Sequence, residues 1–238
     1  MRPTLAVSIV LAAGLCAPLA TAPASAAPRP AAPATSEPTL VQTKHADVDG
    51  DGRRDTITVY DAGRQTDSST MEWTIWLVRV TTATGRSSSV TFEIPTYQTT
   101  KPWYGWAKID GRRGAELLFE THSDDGLGLE VLTWSKGKLV REGGPASTAS
   151  TAEPSAWFAP SEGSLFGGYR LFTSHGKRLV NTWRATCPES ETGSCVVRTV
   201  QSQWRSGSWH RVQRLATQKV SKKDIERRRP LGALTIHH

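Results

Sequence analysis

Hydrophobic and polar positions alternate with a period of two along most of the chain, which predicts strands rather than helices. Thr56-Ile57-Thr58-Val59-Tyr60 alternates β-branched and aromatic residues, a composition suited to a pleated, half-buried strand. Between Glu72 and Val80, Trp73, Ile75 and Leu77 fall on one face and Trp76, Val78 and Val80 on the other. Apolar residues on both faces predict a strand covered on both sides and central in its sheet. Four Gly-containing pairs punctuate such runs: Thr84-Gly85, Lys136-Gly137, His175-Gly176 and Ser206-Gly207. Each predicts a two-residue hairpin turn with its Gly at positive φ. Their flanks also rhyme, Lys-Gly-Lys-Leu-Val beside His-Gly-Lys-Arg-Leu-Val, so a repeated β unit is expected.

The alternation stops at both ends. Residues 1–26 combine Arg2, an apolar run from Leu5 to about Leu19 and the small-residue site Ala24-Ser25-Ala26, the pattern of a secretory signal peptide. Cys16 follows Leu15 rather than the small residue a lipidation signal needs, so it is expected to leave with the signal peptide. Residues 27–40 are rich in Ala and Pro and read as a flexible spacer. A secreted chain with no later apolar run long enough to span a membrane is expected. Gly143 to Ser155 is a Gly/Pro/Ser/Thr/Ala-rich break; it reads as a flexible loop inside one β domain, residues 41–217, since either half alone would have a thin core. Residues 218–238 form a basic tail in which Ser221 is placed to cap a short helix and Pro230 to stop it.

The densest chemistry lies between Asp47 and Asp55, where Asp-Val-Asp-Gly-Asp-Gly-Arg-Arg-Asp puts carboxylates at loop positions one, three, five and nine. Such mutual repulsion makes physical sense around a cation. Calcium, a hard ion taking six to eight oxygens at about 2.3–2.6 Å, suits the spacing. The expected ligands are the side chains of Asp47, Asp49 and Asp51, the backbone carbonyl of Arg53, and Asp55 directly or through water. Gly52 sits at the sharp turn. The twelfth position is Thr58 rather than glutamate and a strand pattern follows, which excludes a helix-loop-helix hand. One structural calcium is the cofactor expected.

A second copy is hidden further on. Ala107-Lys-Ile-Asp-Gly-Arg-Arg-Gly-Ala-Glu116 aligns without a gap on Ala46–Asp55, and apolar Leu117, Leu118 and Phe119 follow. Position one is now Lys108 and position five Arg112, while Asp110 and Glu116 persist. The loop is expected to keep its shape without metal, Lys108 or Arg112 supplying the positive charge. A calcium entering beside two cations would meet about 4 kcal/mol of repulsion per unit-charge pair at 4 Å and an effective dielectric constant near 20.

This loop-then-strand motif with its degenerate copy resembles the FG-GAP and VCBS repeats of integrin-α-like propellers, most closely small VCBS-type secreted proteins of actinomycetes. The resemblance covers residues 46–60 well and 107–119 in part. It implies calcium-stabilised β blades and often adhesion or partner binding, and it carries no catalytic residues across. The fold expected is all-β, antiparallel hairpin repeats in a propeller-like arrangement, or alternatively a sandwich.

Cys187 and Cys195, the two cysteines left after processing, are expected to form a structural disulfide. The formal net charge of +7 drops by one when Arg2 is removed, so the mature protein stays basic. The tail carries Lys222, Lys223 and Arg227 to Arg229, either a merely solvated face or a surface for an anionic partner such as cell-wall polymer. An extracellular protein is the other partner expected; neither a specific nucleic acid nor a membrane span is. Among nine tryptophans, Trp103 and Trp106 flank Tyr104; core packing is favoured there over a sugar platform. The chain has no Gly-x-Ser-x-Gly elbow, no His-Glu-x-x-His helix and no phosphate-cradling loop. His122 with Asp124 and Asp125 is read as a polar loop rather than an acid–base pair. A non-catalytic binding or structural module is therefore expected, with an extracellular hydrolase of no recognisable motif as the alternative.

Overall fold

Two-residue periodicity turns into strands from end to end of a computed structural model that describes residues 37–146, 157–190 and 193–238. Residues 1–26, expected as a signal peptide, most of the expected spacer and most of the 143–155 break lie outside the described residues. Strands β1 (Thr39–Ala46), β2 (Asp55–Thr66), β3 (Glu72–Thr81) and β4 (Ser87–Pro95) form a four-stranded antiparallel meander. A second meander follows from β5 (Trp103–Ala107), β6 (Glu116–His122), β7 (Gly126–Ser135) and β8 (Lys138–Arg141). After β9 (Trp157–Glu162), a third runs through β10 (Leu165–Ser174), β11 (Lys177–Thr186), β12 (Ser194–Arg205) and β13 (Ser208–Arg214). β9 pairs with both β7 and β10, joining the second and third meanders into one hydrogen-bonded sheet. The fold is all-β and almost wholly antiparallel.

The apolar run after the second loop has a reason in this layering. Leu117 and Phe119 of β6 pack with Ile57, Val59, Trp76, Val78 and Phe92 of the first meander. Between them Leu118 points the other way, to Val131, Trp157, Tyr169, Leu171 and Val180. A middle sheet covered on both faces needs consecutive apolar residues. Phe92 and Phe119 lie 5.3 Å apart, and the edge of Trp103 meets Phe119 at 5.5 Å. Trp106 stacks on His237 at 4.1 Å, so both rings pack against protein. β3 is indeed internal in its sheet, although its Trp73/Ile75/Leu77 face is only half-buried.

Lys136-Gly137, His175-Gly176 and Ser206-Gly207 are two-residue hairpins with positive φ at both residues, the twist that suits flanking strands. Thr84-Gly85 is not one. The strands there end at Thr81 and Ser87, and a longer loop is closed by the Thr82 N–H donating to Arg86 O (2.8 Å) and the Gly85 N–H donating to Thr82 O (2.8 Å). Thr82 and Thr84 share a hydroxyl contact of 2.8 Å that holds this wider turn.

The tail joins the sheet. β14 (Gln218–Ser221) pairs with β12, helix α1 (Lys222–Glu226) follows, and β15 (Leu231–Gly232) pairs in parallel with β10. The Ser221 hydroxyl caps α1 by accepting the Asp224 N–H at 3.2 Å. The helix ends before Pro230, with Arg227 at its C-cap. Its one buried residue, Ile225, packs on the Cys187–Cys195 disulfide. Closing so short a loop is worth about 2.5 kcal/mol in the chain-entropy model. Replacing both cysteines with alanine should lower the melting temperature by about 5–10 °C in calorimetry, and a reductant should then have no further effect.

Candidate metal centre

Each loop sits between the first and second strands of its meander, and the two are built alike. In the first, the Asp55 carboxylate turns back to accept the N–H groups of Val48 (2.8 Å) and Asp49 (3.1 Å) through Oδ2. Glu116 does the same in the second, its Oε2 accepting from Ile109 (2.5 Å) and Asp110 (3.4 Å). Asp49 Oδ1 accepts from Asp51 N–H, and Asp110 Oδ1 from Arg112 N–H. Gly50 and Gly111 hold φ of 80° and 79°. The gapless alignment of the two segments is thus matched by three equivalent hydrogen bonds.

The loops also touch. A Cβ on Gly50 would lie 2.6 Å from the Arg113 Cβ, and one on Gly114 would lie 2.4 Å from the Val48 carbonyl oxygen. Both glycines have positive φ, so any side chain would be strained as well as obstructed. Gly114→Ala should cost about 2 kcal/mol. Gly52→Ala, with open space around it, should cost only its backbone strain, and paired urea melts of the two variants check this.

Asp47, Asp49 and Asp55 each bring an oxygen within 4.8 Å of the others, a spread that a single ion could bridge. Asp47 also accepts the N–H groups of Gly50 (2.9 Å) and Gly52 (3.0 Å). Asp55 is fully buried, its Oδ1 held by Ala83 N–H at 2.8 Å. Because each carboxylate oxygen has two lone pairs, these bonds leave capacity for a cation. Asp51 stands outside the group, its Oδ2 gripped by Arg53 Nε (3.2 Å) and Nη2 (3.0 Å). Burial, reinforced by the carboxylates of Asp55, Asp51 and Asp47, raises the Asp49 pKa against the opposing Asp51 N–H. The Arg53 backbone N–H, with its guanidinium, lowers that of Asp51.

The second loop gathers a group of its own. Asp110 and Glu116 are joined by Glu142, which lies beyond β8, and oxygens of the three lie within 4.8 Å of one another. All three residues are buried, at 2%, 2% and 4% exposure. Glu142 is fixed from the third layer, where Trp209 Nε1 donates to its Oε1 (3.1 Å), and through its carbonyl, which accepts Trp157 Nε1 (3.1 Å). Positive charge is supplied by Arg112, whose Nε is 3.6 Å from Asp110 Oδ2. Arg178 reaches the same loop, donating to Ile109 O (2.7 Å) and Lys108 O (2.6 Å). Lys108 is itself exposed and forms no ion pair among the described residues. Asp110 Oδ2 and Glu142 Oε2 have no hydrogen-bond partner. Burial, then the Asp110 charge, pushes Glu116 up to about 7. Burial, then Glu116 and Asp110, raises Glu142 well above the usual carboxylate range. Either acidic cluster could hold a metal ion; beside the second stand the guanidinium groups of Arg112 and Arg178.

Glu142 is the residue that sequence reasoning missed, since nothing in Arg-Glu-Gly-Gly marks it as a partner for a loop far upstream. His122 and Asp125 meet through Nε2 and Oδ1 in a cleft that also holds Phe158 and Glu130, apart from both clusters. No family model, curated protein or solved structure matches this chain.

Proposed function

We propose that this protein is a secreted, non-catalytic binding or structural module in which the three meanders act as propeller-like blades and one calcium braces the first loop. The observation that carries this reading is the setting of the first carboxylate group. Its oxygens are engaged by N–H groups of their own loop and of Ala83, and the loop is wedged against its copy at Gly50 and Gly114. An ion held there by Asp47, Asp49 and Asp55 would stiffen a joint between blades rather than face a substrate. An all-oxygen donor set favours calcium over softer metals. Each blade has four antiparallel strands, and both loops occupy the same connection, which supports the repeat reading.

The basic surface makes an anionic cell-wall polymer the favoured partner, ahead of an extracellular protein. Co-sedimentation with purified walls tests this: retention should fall as salt rises, and retention that is equal at low and high salt would exclude it. The His122–Asp125 pair in its cleft favours the second reading, an extracellular hydrolase. Labelling by a panel of activity-based hydrolase probes, lost in His122→Ala, would establish that reading; a panel without labelling removes it.

A further inference from the structure

The third meander carries a cavity with a different chemistry from either loop. Arg170 of β10 lies opposite Asn181 of β11, and Trp183 opposite Thr199 of β12. These four line a recess of about 490 Å³ that the segment after α1 completes with Arg228 and Arg229. Such a volume is within the usual range for small-ligand sites. Three guanidinium groups from two distant parts of the chain therefore border one space, and among the described residues no Asp or Glu lines it. None of the three forms an ion pair among the described residues, whose nearby acid Asp224 pairs instead with Arg227. All three are exposed, whereas Trp183 is 7% exposed and forms the apolar floor. Arg228 lies over the Trp183 ring at 5.3 Å, which orients that guanidinium by a cation–π contact. Backbone bonds hold the segment in place: Tyr169 N–H donates to Pro230 O at 2.7 Å, and Arg170 is in register with Gly232. These arginines are thus seated on the sheet and not scattered along a loose tail.

Like charges brought together without a counter-ion cost free energy unless an anion joins them. The planar fork of arginine matches the oxygens of phosphate or carboxylate. Three forks, with the amide of Asn181 and the hydroxyl of Thr199, offer more donors than the two oxygens of a carboxylate can use. A tetrahedral phosphate can engage them from several sides.

We propose that the recess bordered by Arg170, Arg228 and Arg229 is a phosphate-binding site that takes one phosphate group of a phosphodiester polymer. This deepens the wall-binding reading and rests on it only for the source of the phosphate.

The experiment uses the mature protein in titration calorimetry at fixed salt with two probes, inorganic phosphate and poly(glycerol phosphate), beside co-sedimentation with walls. Arg170→Gln/Arg229→Gln should weaken both titrations by about tenfold or more, the loss expected for removed charge-assisted hydrogen bonds. Lys222→Gln/Lys223→Gln, which removes the same charge outside the recess, should weaken them by less than about threefold. Melting curves confirm that both variants are folded. Equal effects of the two double variants, or no effect of the arginine pair, would overturn the recess while leaving wall binding standing if the wild type still sediments. Phosphate binding that depends on the arginines, without sedimentation, would keep the recess and overturn the wall reading. Binding of inorganic phosphate alone, with no heat from the polymer, would overturn the polymer as its source.

Discussion

Chelation should lower the melting temperature of the wild-type protein, and should lower it far less in Asp49→Ala. An ion bound only by the folded state stabilises it by RT ln(1 + [L]/Kd), about 2.7 kcal/mol at a hundred times Kd and about 4 kcal/mol at a thousand times. For a chain of this size that is a shift of roughly 5–15 °C. Asp49 is the sharpest probe because Asp47 and Asp55 each hold two or more backbone N–H groups, so removing either would damage the loop with or without metal. Asp49 holds only the Asp51 N–H, at 3.1 Å. Asp51→Asn is a second arm: with its carboxylate turned to Arg53, it should keep more of the calcium effect than Asp49→Ala does. Differential scanning calorimetry with calcium and with chelator measures both. A wild-type melting curve indifferent to chelator would sink the metal assignment.

In chelator, the protein should also be more stable at pH 6 than at pH 8, and Glu116→Gln should remove most of that difference. The Glu116 pKa is raised to about 7 from 4.5 by burial and by Asp110. Because the folded value lies above the unfolded one, the contribution is fully present below about pH 4.5 and is lost as pH rises through about 7. Two and a half units correspond to about 3 kcal/mol in full, shared in practice with Glu142, whose shift has the same sign. The groups facing Glu116 are Asp110, Glu142, the Thr133 hydroxyl at 3.4 Å and the Arg178 guanidinium, with Arg112 beside Asp110. Glutamine keeps an acceptor for the Ile109 N–H and removes the charge, so at pH 8 the variant should be the more stable protein. Urea melts at several pH values, taken as the difference from wild type, separate this from histidine titration. A variant less stable than wild type at pH 8 would mean that the ionised cluster is compensated by Arg112 and Arg178 and would overturn the expected pH dependence.

Much of this could be read from residue order, and the parts that could not have identifiable physical causes. Strand positions were legible wherever a sheet has one wet face, as at Thr56–Tyr60, and where a glycine must take positive φ, as at Gly137, Gly176 and Gly207. The equivalence of the two loops was legible because the turn and the position-nine acid persist after two ligand positions have become cations. Thr84-Gly85 misled because the Gly conformation is right while the loop around it is longer. Asp51 was expected among the ligands from spacing alone, which does not reveal that a neighbouring arginine competes for its oxygens. Glu142 was invisible because its partners are brought to it only by the β7–β8 hairpin and by indoles of the third layer. β14 and β15 are too short to alternate, and they exist because the sheet offers them free backbone groups.

The indole grip on Glu142 ties the last hairpin of the chain to its second loop. Asp110, Glu116 and Glu142 are all present once the chain has grown past the second meander, yet the N–H that Trp209 offers Glu142 belongs to β13, near the end of the chain. Without that strand, Glu142 Oε1 loses its indole donor, while Glu116 keeps the N–H groups of its own loop. The last hairpin therefore closes over the second acidic cluster, and a chain that stops short of Trp209 would leave Glu142 a buried carboxylate with one donor fewer.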